Sequence, residues 1–316
     1  MKNRLLSIVI PAFNEEDNIQ NTTQVVLGIM EEANIPCELI FVSDGSRDRT
    51  FAKILEQSKK NKAVRGIEFS RNFGKEAAMR AGLETARGGC AVVMDCDLQH
   101  PPQTIVEMYR QWELGYEVVE GIKNSRGKES AVHKLLVGTF YKIISALVGF
   151  DMENSSDFKL LDRKVVNVLL EMPERKTFFR AMSFWVGFKS CQVTYDVAER
   201  RIGTSKWSFK SLFKYAVSNI VSFSTTPLQF INGMGLIALI AGGILAIQTL
   251  VRWVRGDALE GFTTVILLLL FLGGGILLGL GLIGTYIAAI YYEVKGRPRY
   301  LVRLDTETVR EQDENA

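Results

Sequence analysis

Two aspartates one residue apart, Asp95 and Asp97, follow the apolar run AVVM at 91–94. A short apolar run of this kind makes a buried strand, so the two carboxylates stand where a strand of the sheet ends. Residues i and i+2 of a strand point to one face. That aims Asp95 and Asp97 the same way and Cys96 the other. Like charges so close repel unless something positive stands beside them. A hard divalent cation, Mg²⁺ or Mn²⁺, meets that need when substrate phosphates complete its oxygen shell. A third carboxylate, Asp44 in FVSDGS, closes another apolar run, and Gly45 and Ser46 then turn the chain into a helix. One aspartate at such a turn also serves as an N-cap, so Asp44 alone reads either way, and the weight lies on the set. Acids at two strand ends of a parallel sheet mark a nucleotide and metal site.

Other chemistries lack their residues. No GxxxxGK[ST] occurs, and IPAFNEE stands where a dinucleotide fold would carry GxGxxG. Only two histidines are present, which excludes a His-rich metal site. His100 reads as a turn residue before two prolines and His133 as part of a helix face. Cys37, Cys90, Cys96 and Cys191 show no CxxC spacing and no disulfide framework, and read as reduced thiols, most of them in the core. Thirty-eight basic against 35 acidic residues, a net +3, is too even a balance to argue for nucleic acid.

The elements that position the acids follow from periodicity. Strands are expected over 5–13, 37–46, 63–70, 90–97 and 116–122, alternating with helical spacing over 16–33, 47–60, 74–88 and 101–115. Such alternation implies an α/β fold with a mostly parallel sheet covered on both faces, whose ligands bind at the carboxyl ends of the strands. Further on, 129–149 reads as an amphipathic helix, 155–172 as a short strand running into a helix, and 189–197 as a strand.

The chain then changes character. Phe230–Val251 carries no charge over 22 residues and Gly261–Tyr292 none over 32. About 20 apolar residues span a bilayer, so two membrane helices are expected. Arg200, Arg201, Lys206, Lys210 and Lys214 precede the first, and Lys295, Arg297, Arg299 and Arg303 follow the second. Arg252 and Arg255 in the connecting loop are offset by Asp257 and Glu260. Positive-inside counting places both termini in the cytosol. The stretch 205–223 mixes Lys with Trp, Phe and Leu and reads as a helix lying in the headgroup layer. Gly273, Gly274, Gly275, Gly279, Gly281 and Gly284 suit close helix packing. The N-terminus has too short an apolar segment for a signal peptide. The expected division is a cytosolic catalytic domain over 1–204, a juxtamembrane amphipathic helix over 205–228, a two-helix membrane domain over 229–292, and a basic then acidic cytosolic tail over 293–316.

The motifs SIVIPAFNEEDNI, FVSDGSRDRT, FSRNFGKEAAMRAGL and MDCDLQHPP resemble glycosyltransferase family 2, whose fold is called GT-A. The similarity is greater to the polyprenyl-phosphate group, which holds the bactoprenol glucosyltransferases and dolichol-phosphate mannose synthases. It extends through SSDFKLLDRKVV, MPERKTFFRAMSFWVGFK, ERRIGTSKWSFKSL, SFSTTPLQF and both apolar segments. The resemblance implies a GT-A sheet followed by an interfacial helix and two membrane helices in the inner or plasma membrane. It implies an inverting transfer of glucose or N-acetylglucosamine from a UDP-sugar to polyprenyl phosphate, with a homo-oligomer such as a tetramer in keeping with the group. Carried over onto this sequence, Pro11, Phe13, Asn14, Glu15, Asp44, Lys75 and Asp95 serve the nucleotide, with Asp44 at the uracil or ribose. Asp95 and Asp97 form the metal pair, Asp97 the more direct ligand, with Gln99 beside it. Asp157 matches the acid of a GDF segment, although Ser156 stands where glycine is usual. Arg200, Ser205 and Lys206 match a phosphate-binding RxxGxSK, and Arg71, Asn72 and Lys75 match RNFGK. A phosphate monoester, with a second pKa of about 6, is already mostly dianionic at neutral pH. Asp157 is therefore expected to position more than to remove a proton. The alternatives are transfer from GDP-mannose and a non-catalytic partner in lipid-linked sugar assembly. A processive polysaccharide synthase would carry a QxxRW segment, which is absent.

Overall fold

The computed structural model describes residues 4–124, 156–174, 178–196, 226–255 and 262–314. Two compact units emerge, one made of Met1–Lys206 with Arg297–Ala316, the other of Trp207–Gly296.

In the first unit the expected alternation appears as β1 (Leu6–Ala12), α1 (Ile19–Glu32), β2 (Cys37–Ser43), α2 (Thr50–Lys60), β3 (Val64–Phe69), α3 (Lys75–Thr85), β4 (Cys90–Val93), α4 (Pro102–Glu113) and β5 (Val118–Lys123). Then come β6 (Lys159–Asp162), α5 (Arg163–Glu171), α6 (Phe179–Trp185), β7 (Ser190–Tyr195), β8 (Val302–Asp305) and α9 (Thr306–Glu314). The sheet runs β7-β5-β6-β4-β1-β2-β3-β8. It is a mostly parallel α/β sheet, as the alternation implied. β1 is buried on both faces, with Leu6, Ile8, Val9 and Ile10 fully enclosed. That explains its unbroken apolar run, the mark of a central parallel strand.

Pro11 sits in this central strand although proline cannot donate to a ladder. Val9 accepts from Met94 N on the β4 side, and β4 ends at Val93, opposite Val9. Two residues on, Pro11 turns its nitrogen to that same side, beyond the end of β4, so no partner goes unsatisfied.

Three features depart from expectation. β4 stops at Val93, so Asp95 and Asp97 lie in the turn that follows it. The alternation argument that aimed both carboxylates one way therefore does not apply to them. The turn bends through Leu98, whose φ is 58°. Next, β6 enters between β4 and β5 and runs antiparallel to both. Lastly, the charged C-terminal tail folds onto the sheet. β8 pairs antiparallel with β3, Thr306 Oγ1 accepts from Gly66 N at 2.9 Å, and Glu307 pairs with Arg65 and Arg87. A four-residue strand with Arg303 and Asp305 on one face is too short and too polar to read from sequence. It covers the edge that β3 would otherwise leave open.

Beneath the sheet's amino-terminal edge, buried Glu38 accepts from Ser7 Oγ (2.6 Å), Arg65 Nη1 (2.9 Å) and Arg87 N (2.7 Å). Buried charge is tolerated when paired and hydrogen-bonded in this way.

The second unit is α7 (Thr226–Val254) and α8 (Phe262–Val294). Within them Leu228–Thr249 and Phe271–Val294 are long and apolar enough to cross a membrane. Their large side chains face outward, Leu239 being 75% and Leu278 77% exposed. Of the six glycines singled out in α8, only Gly279 has a neighbour within 4 Å of where a Cβ would stand, Ile231 Cγ2 at 3.5 Å, among the described residues. The expected helices over 129–149 and 205–223 lie outside the described residues.

Candidate active site

The parallel strands β1, β2, β3 and β4 end on one edge of the sheet, where the antiparallel β6 begins, and the loops leaving β1, β2 and β3 hold one another. After β1, Asn14 adopts a left-handed φ of 55°. Its backbone N–H donates to Ser46 Oγ and its Oδ1 accepts from Arg47 N at 2.9 Å, both from the loop after β2. Glu15 N donates to Thr50 Oγ1 at 2.9 Å, and Glu16 exchanges bonds with Asp48 and Arg49. Phe13 is 43% exposed beside this seam.

Asp44, at the end of β2, is buried and ties in the third loop. Its two oxygens accept from Phe73 N (2.6 Å) and Gly74 N (2.9 Å). Burial raises its carboxyl above the usual range, and those two bonds and Arg71 only partly oppose it. Gly45 follows with φ +61°, and a Cβ there would stand 2.2 Å from the Arg71 carbonyl carbon. Glycine is required on both counts. Arg71 lies over the Phe73 ring at 4.2 Å, and Asn72 sits between them.

The other half of the site follows from the β4–β6 register. Val93 pairs with Lys159 in antiparallel fashion. Continuing that ladder two residues past each strand sets Asp95 across from Asp157. Two carboxylates so placed need a cation, and Lys75, the first residue of α3, supplies it. Its Nζ lies 2.6 Å from Asp95 Oδ1 and 3.0 Å from Asp157 Oδ2. Arg180, on α6, grips Asp157 from the far side, Nε to Oδ1 at 2.7 Å and Nη2 to Oδ2 at 3.1 Å. Solvent reaches 12% of the Asp157 side chain, 36% of Asp95 and 42% of Lys75.

Burial would raise the Asp157 carboxyl, but Lys75 and the Arg180 fork outweigh it and hold the group well below the carboxylate range. The same contest, won by Lys75, holds Asp95 low. Burial works against the Lys75 ammonium, yet the two carboxylates keep it charged. Glu76, next on α3, accepts from Phe179 N at 3.0 Å. Burial first, then the charge of Asp157, pushes its carboxyl up to about 8.

Asp97 lies in the turn after Asp95, and its Oδ1 accepts from the backbone N–H of Gln99 at 3.1 Å. Among the described residues no three His, Cys, Asp or Glu side chains converge as a ready metal cage. Two carboxylates at one open edge do suit a hard ion that keeps water and takes phosphate oxygens, as Mg²⁺ does. The donor set fits such an ion only when a ligand brings the remaining oxygens.

Two separate groupings thus emerge. Pro11, near the end of β1, adjoins the interlocked loops that carry Phe13, Asn14, Glu15, Asp44 and Arg71, and Lys75, Asp95, Asp97, Gln99 and Asp157 belong to the carboxylate edge. Arg200, Ser205 and Lys206 lie outside the described residues. Sequence reasoning passed over Arg180 and Glu76, and read His100 as a turn residue before two prolines. His100 is buried, accepts from Asp95 N at 3.3 Å through Nδ1, and stacks on Phe158 with ring centres 4.6 Å apart. Burial lowers its pKa, leaving a neutral imidazole that props the Asp95 turn. A signal for Arg180 existed: it is the one cation in the apolar stretch FFRAMSFW, which asks for a buried anion.

A family model described as Glycosyl transferase family 2 matches residues 7–169. The Bacillus subtilis protein CsbB, whose name gives the general activity of a glycosyltransferase, is 41% identical over 305 residues, covering 96% of this chain and 92% of its own. A prophage-derived bactoprenol glucosyl transferase of Shigella flexneri is 35% identical over 303 residues, covering 94% and 97%. Among solved structures, glucosyl-3-phosphoglycerate synthase from Mycobacterium tuberculosis, in complex with Mn²⁺, UDP and phosphoglyceric acid, superposes with a TM-score of 0.52 at 19% identity. It covers 69% of this chain and 76% of its own, a likeness of fold.

Proposed function

The chain belongs to glycosyltransferase family 2, and from that membership we propose that it moves a hexose from a UDP-sugar onto the phosphate of a polyprenyl lipid. The sugar is glucose or N-acetylglucosamine. The acceptor class rests on the bactoprenol glucosyl transferase similarity, which runs through nearly the whole length of both chains. The observation that carries the chemistry is the row Asp95–Lys75–Asp157–Arg180 at the strand ends.

In the transfer, an acceptor phosphate oxygen forms a bond to the anomeric carbon while the bond from that carbon to UDP breaks, with inversion. Negative charge grows on the leaving diphosphate, and a divalent ion held by Asp97 and Asp95, when bound, would stabilise it. The interlocked loops carrying Phe13, Asn14, Glu15 and Asp44 form the nucleotide end. Lys75, at the head of α3, lies within reach of both carboxylates and suits the diphosphate. Asp157, clamped by two cations and held low, is a poor base, and a dianionic phosphate has little proton to give up. Its role is to fix Lys75 and Arg180 in position. Arg200, Ser205 and Lys206 complete the phosphate-binding set.

The two apolar helices support a membrane protein of the inner or plasma membrane with two spans. The flanking Lys and Arg favour both termini and the catalytic domain in the cytosol. A homo-oligomer such as a tetramer belongs to the same reading, and nucleic acid does not. The test is a panel of radiolabelled UDP-sugars and GDP-mannose with undecaprenyl phosphate, with and without Mg²⁺ or Mn²⁺. Transfer from one UDP-sugar, abolished by chelator, is expected. Transfer from GDP-mannose alone would replace the donor, and no transfer from any donor would overturn the reading.

A further inference from the structure

Lys75 occupies a place where a metal site would be expected to hold only the metal. Its ammonium contacts Asp95 at 2.6 Å and Asp157 at 3.0 Å. Its backbone position is not free to drift. Gly74, with φ +99°, caps the amino end of α3, and the N–H groups of Phe73 and Gly74 are both held by Asp44. An uninterrupted path therefore runs from Asp44, at the nucleotide end, through two backbone bonds to Lys75 and on to Asp95 at the carboxylate edge.

A bare divalent ion approaching this edge meets Asp95 already neutralised and a positive charge beside it. Like charges at such distances repel, and the ion loses one of its two carboxylates. A diphosphate changes the balance: its negative charge gives the ammonium another partner, and releases Asp95. We propose that Lys75 is the site's internal counter-ion, which competes with the divalent cation for Asp95 and yields it when the diphosphate arrives. Metal binding is then conditional on the donor. This rests on the metal-dependent reading above, applied to the chain's own lysine.

The test uses the full chain in detergent micelles and measures Mn²⁺ affinity by calorimetry or by the Mn²⁺ electron-spin signal, with and without UDP. Wild type should bind Mn²⁺ at least tenfold more weakly without UDP than with it. Lys75→Met, which keeps length and removes charge, should bind Mn²⁺ without UDP at least fivefold more tightly than wild type and show a correspondingly smaller UDP dependence, the remainder coming from the phosphate oxygens that UDP brings to the ion. Lys75→Arg keeps the charge and should bind no more tightly than wild type. If Lys75→Met fails to fold, tightening in Lys75→Arg, or equal affinity of wild type with and without UDP, still overturns the proposal. Unchanged or weaker Mn²⁺ binding by folded Lys75→Met overturns it as well, while leaving UDP-dependent Mn²⁺ binding intact. Absence of Mn²⁺ binding by every form, UDP included, overturns the metal-dependent reading and this inference together.

Discussion

Replacing Asp157 by Asn separates a positioning carboxylate from a base or a direct metal ligand. The substitution keeps size and hydrogen-bonding oxygen but removes the charge that faces Lys75 at 3.0 Å and Arg180 at 2.7 Å. At an effective dielectric near 20, each pair is worth about 5–6 kcal/mol before desolvation. Solvent reaches 42% of the Lys75 side chain and 31% of Arg180, so screening reduces each to about 1 kcal/mol. The variant should lose about 2 kcal/mol, a fall in unfolding midpoint of roughly 4–8 °C for a domain of about 200 residues. The Asp157 carboxyl is held low, so its contribution is present above its unfolded pKa of about 3.9 and fades as pH falls below that. The stability gap between wild type and Asp157→Asn should accordingly close in acid, and narrow from pH 5 to 8 because the variant no longer has the Asp157 charge that helps hold the Glu76 carboxyl up. In a radiolabelled transfer assay to undecaprenyl phosphate, Asp157→Asn should lose on the order of tenfold in kcat, since the acceptor needs no base. Asp97→Asn, which weakens stabilisation of the leaving diphosphate, should lose about 10²–10³-fold. Equal, near-total losses in two folded variants would refute the reasoning, as would a pH–rate profile in which Asp157→Asn removes a basic limb.

Three other outcomes follow from the same structure. Glu76, raised to about 8, binds a proton in the folded state that the unfolded chain has released by about pH 5, so its effect lowers stability as pH rises from about 4.5 through 8. Glu76→Gln should flatten that decline in pH-dependent melting, and a steeper decline would contradict it. Gly45→Ala puts a methyl 2.2 Å from the Arg71 carbonyl carbon in a left-handed backbone; it should cost about 2–4 kcal/mol and weaken UDP binding in calorimetry. Truncation after Gly296 removes β8 and α9, uncovers the β3 edge and strips Glu307 from Arg65. The truncated chain should aggregate on heating at a lower temperature than wild type in light scattering, and unchanged behaviour would mean the tail does not guard that edge.

The fold class, the two apolar helices and the strand-end acids were legible in the sequence because each rests on a local cause. Apolar runs of fixed length make buried strands or long helices, and acids placed after them fall at one sheet edge. Even so, the two aspartates 95 and 97 were read on a strand that ends at Val93. The residues that organise the site come from far apart in the chain: Lys75 from α3, Asp157 from the start of β6, Arg180 from α6 and Asp44 from β2. Only the insertion of β6 antiparallel beside β4 brings Asp157 across from Asp95. Only the interlocked loops set Lys75 between them. Composition and spacing determined which charges this protein has at its strand ends; which opposite charge answers each was decided by register and long-range packing, to which a one-dimensional pattern is blind.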